Sequence, residues 1–304
     1  MALAVTGDAG VLVADLLGRC RFPAGEGPLV AAVSGGADSL ALLVLVRAAG
    51  REVTAVHVDH GLRPSSAGEA EVVRAAAERF GAEFEARTVT LRPGPDLEAR
   101  ARRARYAALP LGVLTGHTAD DLAETVLLNL LRGAAIDGLA GMRDGTRVRR
   151  PLLRLRRAET RQLCAALGLD PVDDPSNRDP RFRRNRVRHD LLPLLADISE
   201  RDVVPVLARQ AELMAADSDL LDELAGGVDP TDARALVAAP LALSRRALRR
   251  WLRDGDERHP PSSAEIERVL AVASGEAVAC ELAGGRRVSR SGGRLRVVTD
   301  GGER

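Results

Sequence analysis

Residues 34 to 39 read Ser-Gly-Gly-Ala-Asp-Ser, directly after the apolar run Leu29 to Val33 and directly before Leu40 to Val44. Such a set suits polyphosphate chemistry. Gly35 and Gly36 let the backbone turn tightly and approach an anion, Ser34 and Ser39 add hydroxyl donors, and Ala37 begins a helix whose free N–H groups can converge on the anion. Asp38 would repel a polyphosphate unless a divalent cation lay between them, so it is the expected Mg2+ ligand. The segment is neither a GxxxxGKS/T loop, since the chain contains no lysine at all, nor the three-glycine dinucleotide fingerprint. A polar turn with an Asp-Ser helix cap would use the same residues without any ligand; the whole hexapeptide in its strand-to-helix setting favours nucleotide.

A second cluster lies in Gly-His-Thr-Ala-Asp-Asp-Leu-Ala-Glu-Thr, residues 116 to 125. His117, Asp120, Asp121 and Glu124 follow i, i+3, i+4, i+7 spacing, which sets an imidazole and three carboxylates along one face of a helix start. Clustered like charges need an offset: Mg2+, an amine-bearing substrate, or protons held on some of the carboxyls. An acidic first turn favoured by the helix dipole is the plainer alternative. Leu122, Val126, Leu127, Leu128 and Leu130 are expected to face the core.

A third stretch, residues 173 to 192, holds Pro175 and Pro180, which forbid a continuous helix, and then Arg181, Arg183, Arg184, Arg186 and Arg188, five arginines within eight residues. Phosphate contacts are the expectation there, with Asn177 and Asn185 available to sugar or base edges. His60 and Arg63, in Val-Asp-His-Gly-Leu-Arg, and Glu98, Arg102, Arg105 and Tyr106 on a helical segment are weaker candidates.

The elements that must position these residues alternate. Segments of β character recur at 29–34, 52–58, 83–90 and 111–115, with helical periodicity at 38–49, 66–80, 96–108 and 119–131. This predicts an α/β fold, an open and mostly parallel sheet with helices on both faces and ligands at the carboxyl ends of its strands. The three polar stretches at 34, 58 and 116 all fall at such ends. After Pro193 a long helix is expected over 199–225, ending at Gly226-Gly227, then short helices over 231–275 and small hairpins over 277–299. The expected division is a catalytic domain at 1–195 and a smaller, mainly helical domain at 196–304.

Composition sets the bounds. The 304 residues are 45% hydrophobic but only 2% aromatic, so the cores must be built from Ala, Val and Leu. All 44 basic residues are arginine, and the net charge of +1 hides a cluster at 143–190, where fourteen arginines face seven acidic residues. Such a cluster is a footprint for polyanions. Cys20, Cys164 and Cys280 are far apart, which argues against a disulfide framework, zinc ribbon or iron-sulfur site. With no basic leader and no apolar run of the ~20 residues a bilayer requires, a soluble cytoplasmic protein is expected.

The Ser34–Ser39 hexapeptide resembles the SGGxDS signature of the PP-loop ATP pyrophosphatases. Taken with VDHGLR, LEARARRARY, GHTADDLAETVLLNLLRG and DDPSNRDPRFRRNRVRHDLLP in that order, the chain resembles the tRNA(Ile)-lysidine synthases, closely over 29–193 and less so beyond. The resemblance implies ATP as cosubstrate, free lysine and the CAU-anticodon tRNA(Ile) as partners, and lysine joined to C2 of the wobble cytidine through an adenylated intermediate. It further implies that Ser34 to Ser39 bind ATP, that Asp38 holds Mg2+, and that Asp121 and Glu124 receive the lysine ammonium, supported by His117 and Asp120. Arg181, Arg183, Arg184, Asn185 and Arg188 would hold ATP or tRNA phosphates. A homodimer is left open. Members of that family with a second C-terminal domain are longer, so recognition of the tRNA acceptor stem is expected to be reduced or arranged differently here. A tRNA thiolase should show paired cysteines, an amidotransferase-type synthetase a glutaminase domain or N-terminal cysteine, and a silent tRNA-binding module would not need Asp38 or the acidic stripe.

Overall fold

The computed structural model describes residues 7–59, 66–90, 97–253, 261–299 and 302–303. They form two compact units, 1–214 and 215–304, divided inside a long helix.

The first unit is built on a five-stranded sheet: β1 (Leu29–Ala32), β2 (Val53–Asp59), β3 (Glu83–Thr88), β4 (Val113–Thr115) and β5 (Val148–Arg149), in the order β3-β2-β1-β4-β5. All pairings are parallel, with Ala31 opposite Ala55 on one side and Leu114 on the other. Period-two alternation divides the strands' side chains between two cores. Ala31, Val33, Val53 and Ala55 pack with α1 (Gly7–Arg19), α2 (Ala37–Ala48), α3 (Ser66–Phe80) and α7 (Arg157–Ala166). Val30, Ala32, Val56 and Val58 pack on the other face with Leu109 and with Tyr106 of α4 (Leu97–Ala107). Helices therefore cover both faces, as expected. Helix α2 is buried without a break from Ser39 to Val46, because its apolar run leaves no polar face to turn outward.

Helix α5 (Ala119–Leu130) follows β4, then the short α6 (Ile136–Leu139). Leu122, Val126 and Leu127 are buried and Leu128 half-buried, but Leu130, expected in the core, is exposed. A single 3-10 turn at Pro175–Arg178 precedes α8 (Arg183–Arg186), which runs through a π-helical turn at Val187–Leu191 into α9 (Leu192–Ser199). Helix α10 (Val204–Ala225) is the long helix, stopped at Gly226-Gly227.

The second unit holds α11 (Ala233–Ala238), α12 (Leu241–Arg253) and α13 (Ser263–Ser274), and an antiparallel sheet of β6 (Ala279–Leu282), β7 (Arg286–Ser291), β8 (Arg294–Thr299) and β9 (Gly302–Glu303). Leu236, Leu248, Leu252, Ile266, Val269, Leu282, Val288 and Leu295 close its core.

In the first unit the chain order reverses between β1 and β4. In open α/β sheets that switch point is where the crevice beyond the carboxyl ends of the strands opens. The segments after β1 and β4, 34–39 and 116–121, flank it.

Candidate active site

The turn after β1 is held by its own hydroxyls. Ser39 Oγ donates to the Gly36 carbonyl at 2.8 Å and accepts from the Ser34 backbone N–H at 3.1 Å, with Ser34 Oγ 3.4 Å away. Gly35 has φ +86°, a conformation side chains rarely adopt, and a Cβ there would also meet Val172 at 3.2 Å. The Val172 N–H in turn bonds the Gly35 carbonyl at 3.0 Å. Gly36 caps α2, and among the described residues the backbone N–H groups of Gly36, Ala37 and Asp38 have no acceptor. Three orphan donors at the N-terminus of a buried helix are fitted to an anion.

The second segment docks on this turn through backbone. A Cβ on Gly116 would lie 2.6 Å from the Asp38 carbonyl oxygen and 2.7 Å from its carbon, so only glycine lets β4 deliver its loop so close to α2. Thr118 then caps α5, and Asp121 Oδ2 accepts from the Thr118 N–H at 2.9 Å and its hydroxyl at 3.1 Å. This capping box turns Asp121 inward. Glu124, one turn later on the same face, is 0% exposed. His117 lies nearby, its Nδ1 2.8 Å from Thr115 Oγ1.

Arginines of the chain itself supply a charge offset for this stripe. Arg157 reaches Asp121 at 2.8 Å, Glu124 at 3.0 Å and Asp38 at 3.6 Å. Arg184 lies 2.7 Å from Glu124 and 3.2 Å from Asp121, and Arg188 lies 2.7 Å from Glu124. Burial alone would raise the Asp121 pKa, but Arg157 and Arg184 outweigh it and hold the carboxyl below its usual range. Asp38 goes the other way: burial pushes it up to about 6, even though Thr160 donates a hydrogen bond to it and Arg157 lies beside it. Arg157 is itself raised, because Asp121, Glu124 and Asp38 together outweigh the burial that disfavours its charge.

The first turn of α7 is the part that sequence reading missed. Arg157 takes the three carboxylates, Thr160 takes Asp38, and Asp120 is fixed by the Arg156 guanidinium at 3.1 Å and the Arg157 N–H at 2.8 Å. Its signal was Glu159 three residues after Arg156, closing a capping box onto the Arg156 N–H at 2.7 Å. Arg156 and Arg157 were absorbed instead into the general arginine excess.

The residues expected at phosphates divide. Arg184 and Arg188 point to carboxylates, Arg181 pairs with Asp179 at 2.6 Å, and Arg183 is exposed. Asn185, expected at sugar or base edges, is buried and donates to the carbonyls of Ser176 at 2.7 Å and Asp179 at 2.9 Å, so it buttresses the loop. His60 and Arg63 lie outside the described residues, as do the side chains of Glu98 and Arg102.

Two family models match the chain, a PP-loop domain over residues 13–195 and a TilS substrate binding domain over 232–296. A tRNA(Ile)-lysidine synthase of Nocardia farcinica is 46% identical over 252 residues, covering 78% of this chain and 79% of that protein. One of Salinispora tropica is 41% identical across 91% of this chain and 92% of its own. Among solved structures, the U34-tRNA thiolase NcsA of Methanococcus maripaludis with its 4Fe-4S cluster superposes with a TM-score of 0.53 at 20% identity, over 68% of this chain and 79% of its own, and shares the fold.

Proposed function

The chain belongs to the tRNA(Ile)-lysidine synthases, and from that premise we propose how its residues divide the work of joining lysine to C2 of the wobble cytidine in the CAU-anticodon tRNA(Ile). ATP binds at the turn from Ser34 to Ser39, its phosphates on the N–H groups of Gly36, Ala37 and Asp38. The C2 oxygen of the cytidine attacks the α-phosphorus and pyrophosphate leaves. The ε-amine of free lysine then attacks C2, and the former C2 oxygen departs on AMP. The amine arrives as an ammonium, which is not a nucleophile, so the carboxylates of Asp121 and Glu124 serve twice: they attract the cation and give its proton somewhere to go. His117 and Asp120 keep that face in place.

The observation that carries this reading is the Arg157 guanidinium. Its contacts at 2.8, 3.0 and 3.6 Å to Asp121, Glu124 and Asp38 put the nucleotide turn and the acidic pair in one neighbourhood. Mg2+ is held by one or two carboxylates plus phosphate oxygens and water rather than by an all-protein cage. A lone Asp38 fits that role, and no cluster of three ligating side chains occurs among the described residues. When bound, the ion would neutralise charge on the triphosphate.

Sulfur transfer finds no support in the thiols. Burial pushes Cys20 up to about 12 and Cys164 up to about 11, far from a reactive thiolate, and all three cysteines are free. A cytoplasmic setting would suit these proposed substrates; no helix of the described residues is long and apolar enough to cross a membrane. The test is incorporation of labelled lysine into a CAU-anticodon transcript with ATP and Mg2+. The parent protein is expected to incorporate it and Asp38→Ala to abolish it; equal incorporation by Asp38→Ala refutes the residue assignment.

A further inference from the structure

A carboxylate offers about four lone-pair sites, and at Asp121 and Glu124 all of them are taken. Glu124 Oε1 accepts from Arg157 at 3.0 Å and Arg188 at 2.7 Å, and Oε2 from Arg184 at 2.7 Å and Arg188 at 3.2 Å. Asp121 Oδ1 accepts from Arg157 at 2.8 Å and Arg184 at 3.2 Å, while Oδ2 takes both donors of Thr118. The charges balance as well: three guanidiniums face Asp38, Asp121 and Glu124. An incoming ammonium therefore finds neither a free acceptor nor a net negative charge. It can bind this pair only if an arginine leaves.

The three arginines are not equally free to do so. The Arg157 side chain is 14% exposed, and its backbone N–H is bonded to Asp120. Arg184 and Arg188 are 33% and 21% exposed and flank the point where α8 loosens into its π-turn. A guanidinium exchanges a carboxylate for a phosphate readily, because both accept its planar fork.

We propose that Arg184 and Arg188 are positioning residues: they cover the acidic pair in the free protein and transfer to a phosphate oxyanion when one is bound, which opens Asp121 and Glu124 to the lysine ammonium. The inference rests on the reading above that this pair receives lysine. It makes lysine binding follow phosphate binding. By linkage, lysine tightens the phosphate ligand by the same factor.

The phosphate can come from nucleotide or from tRNA, and equilibrium binding of labelled lysine separates the two. Four arms suffice: protein alone, with Mg2+ and α,β-methylene ATP, with the CAU transcript, and with both. Lysine affinity should rise about tenfold or more, within the usual range of coupling between sites, in whichever arm supplies the oxyanion. Arg184→Gln with Arg188→Gln should bind lysine more tightly than the parent when no phosphate is present, and its affinity should be the same in all arms. A merely structural role for these arginines would not tighten lysine binding, and Arg188→Gln alone gives the same readout, at smaller amplitude, should the double variant fail to fold. Equal parental affinity in all arms, or coupling retained in the variants, overturns the proposal. Glu124→Gln separates the two ideas: lost lysine binding without coupling in the parent sinks the exchange alone, whereas undiminished lysine binding sinks the acidic pair as the lysine site and the exchange with it.

Discussion

Arg157→Met should destabilise the first unit in a way that depends on pH. Methionine keeps the length of the side chain and removes the fork that touches Asp38, Asp121 and Glu124. Removing one partner of a buried ion pair costs about 3–5 kcal/mol. Here Arg184 and Arg188 still contact Asp121 and Glu124, so the loss falls mainly on Asp38 and the cost drops to about 2–3 kcal/mol. For a unit of this size about 2–4 °C of Tm follows each kcal/mol, a drop of about 4–12 °C at pH 8. The pH profile follows from Asp38, raised by burial to about 6 against an ordinary 3.8. A carboxyl with a raised folded pKa contributes stability that is full below 3.8 and lost as pH rises through about 6. Losing Arg157 raises that pKa further, so the deficit should be largest above pH 6 and shrink toward pH 5, where Asp38 holds a proton and no longer needs the cation. Arg157→Lys restores one charge but cannot fork to three carboxylates, and should recover part of the loss. Thermal unfolding from pH 5 to 8 is the assay. A variant melting with the parent at pH 8, or one whose deficit grows on acidification, refutes the reasoning.

Two further outcomes follow from close geometry. Gly116→Ala puts a methyl 2.6 Å from the Asp38 carbonyl oxygen, and since backbone cannot step aside the turn must move, costing about 1–3 kcal/mol and about 10²-fold in tRNA-dependent pyrophosphate release; an unchanged release rate contradicts it. In the second unit, the N–H groups of Ser262 and Ala283 hold Glu265 down at about 2, so its stabilisation is present above the ordinary 4.5 and lost as pH falls toward 2; Glu265→Gln should flatten that acid limb, read by the fluorescence of Trp251, the only tryptophan, which packs on that unit's core.

The sheet was legible because its signals are local. The run Leu29 to Val33 and the buried helix after it announce themselves within the eighteen residues from Leu29 to Val46, and the next three strand-and-helix pairs repeat the alternation. What was not legible is short or polar. β5 is two residues, below any period, and α7 buries only Thr160, Leu163 and Cys164 of RAETRQLCAA, too few to mark a face. Helix α1, with Val13 and Leu16 inward, went unread because the N-terminal segment was weighed only as a leader.

The site shows the same limit in charge rather than hydropathy. Spacing within one helix placed Asp121 and Glu124 on one face, but their partners stand 33 and 64 residues away in the chain, and a sequence carries no register for such contacts. Arginine excess therefore read as a surface for polyanions, when three of those arginines close on buried carboxylates. The composition does bear on the chemistry in one respect. Because the chain has no lysine, the ion pairs that close on Asp121 and Glu124 are made by guanidiniums, wide and planar forks whose bonds suit carboxylate and phosphate alike. The substrate's ammonium is a compact point charge. Under the exchange proposed above, a pocket that keeps its own cations of one shape and admits a substrate of the other can exchange them without confusing them, whether the phosphate that draws the forks away belongs to nucleotide or to tRNA.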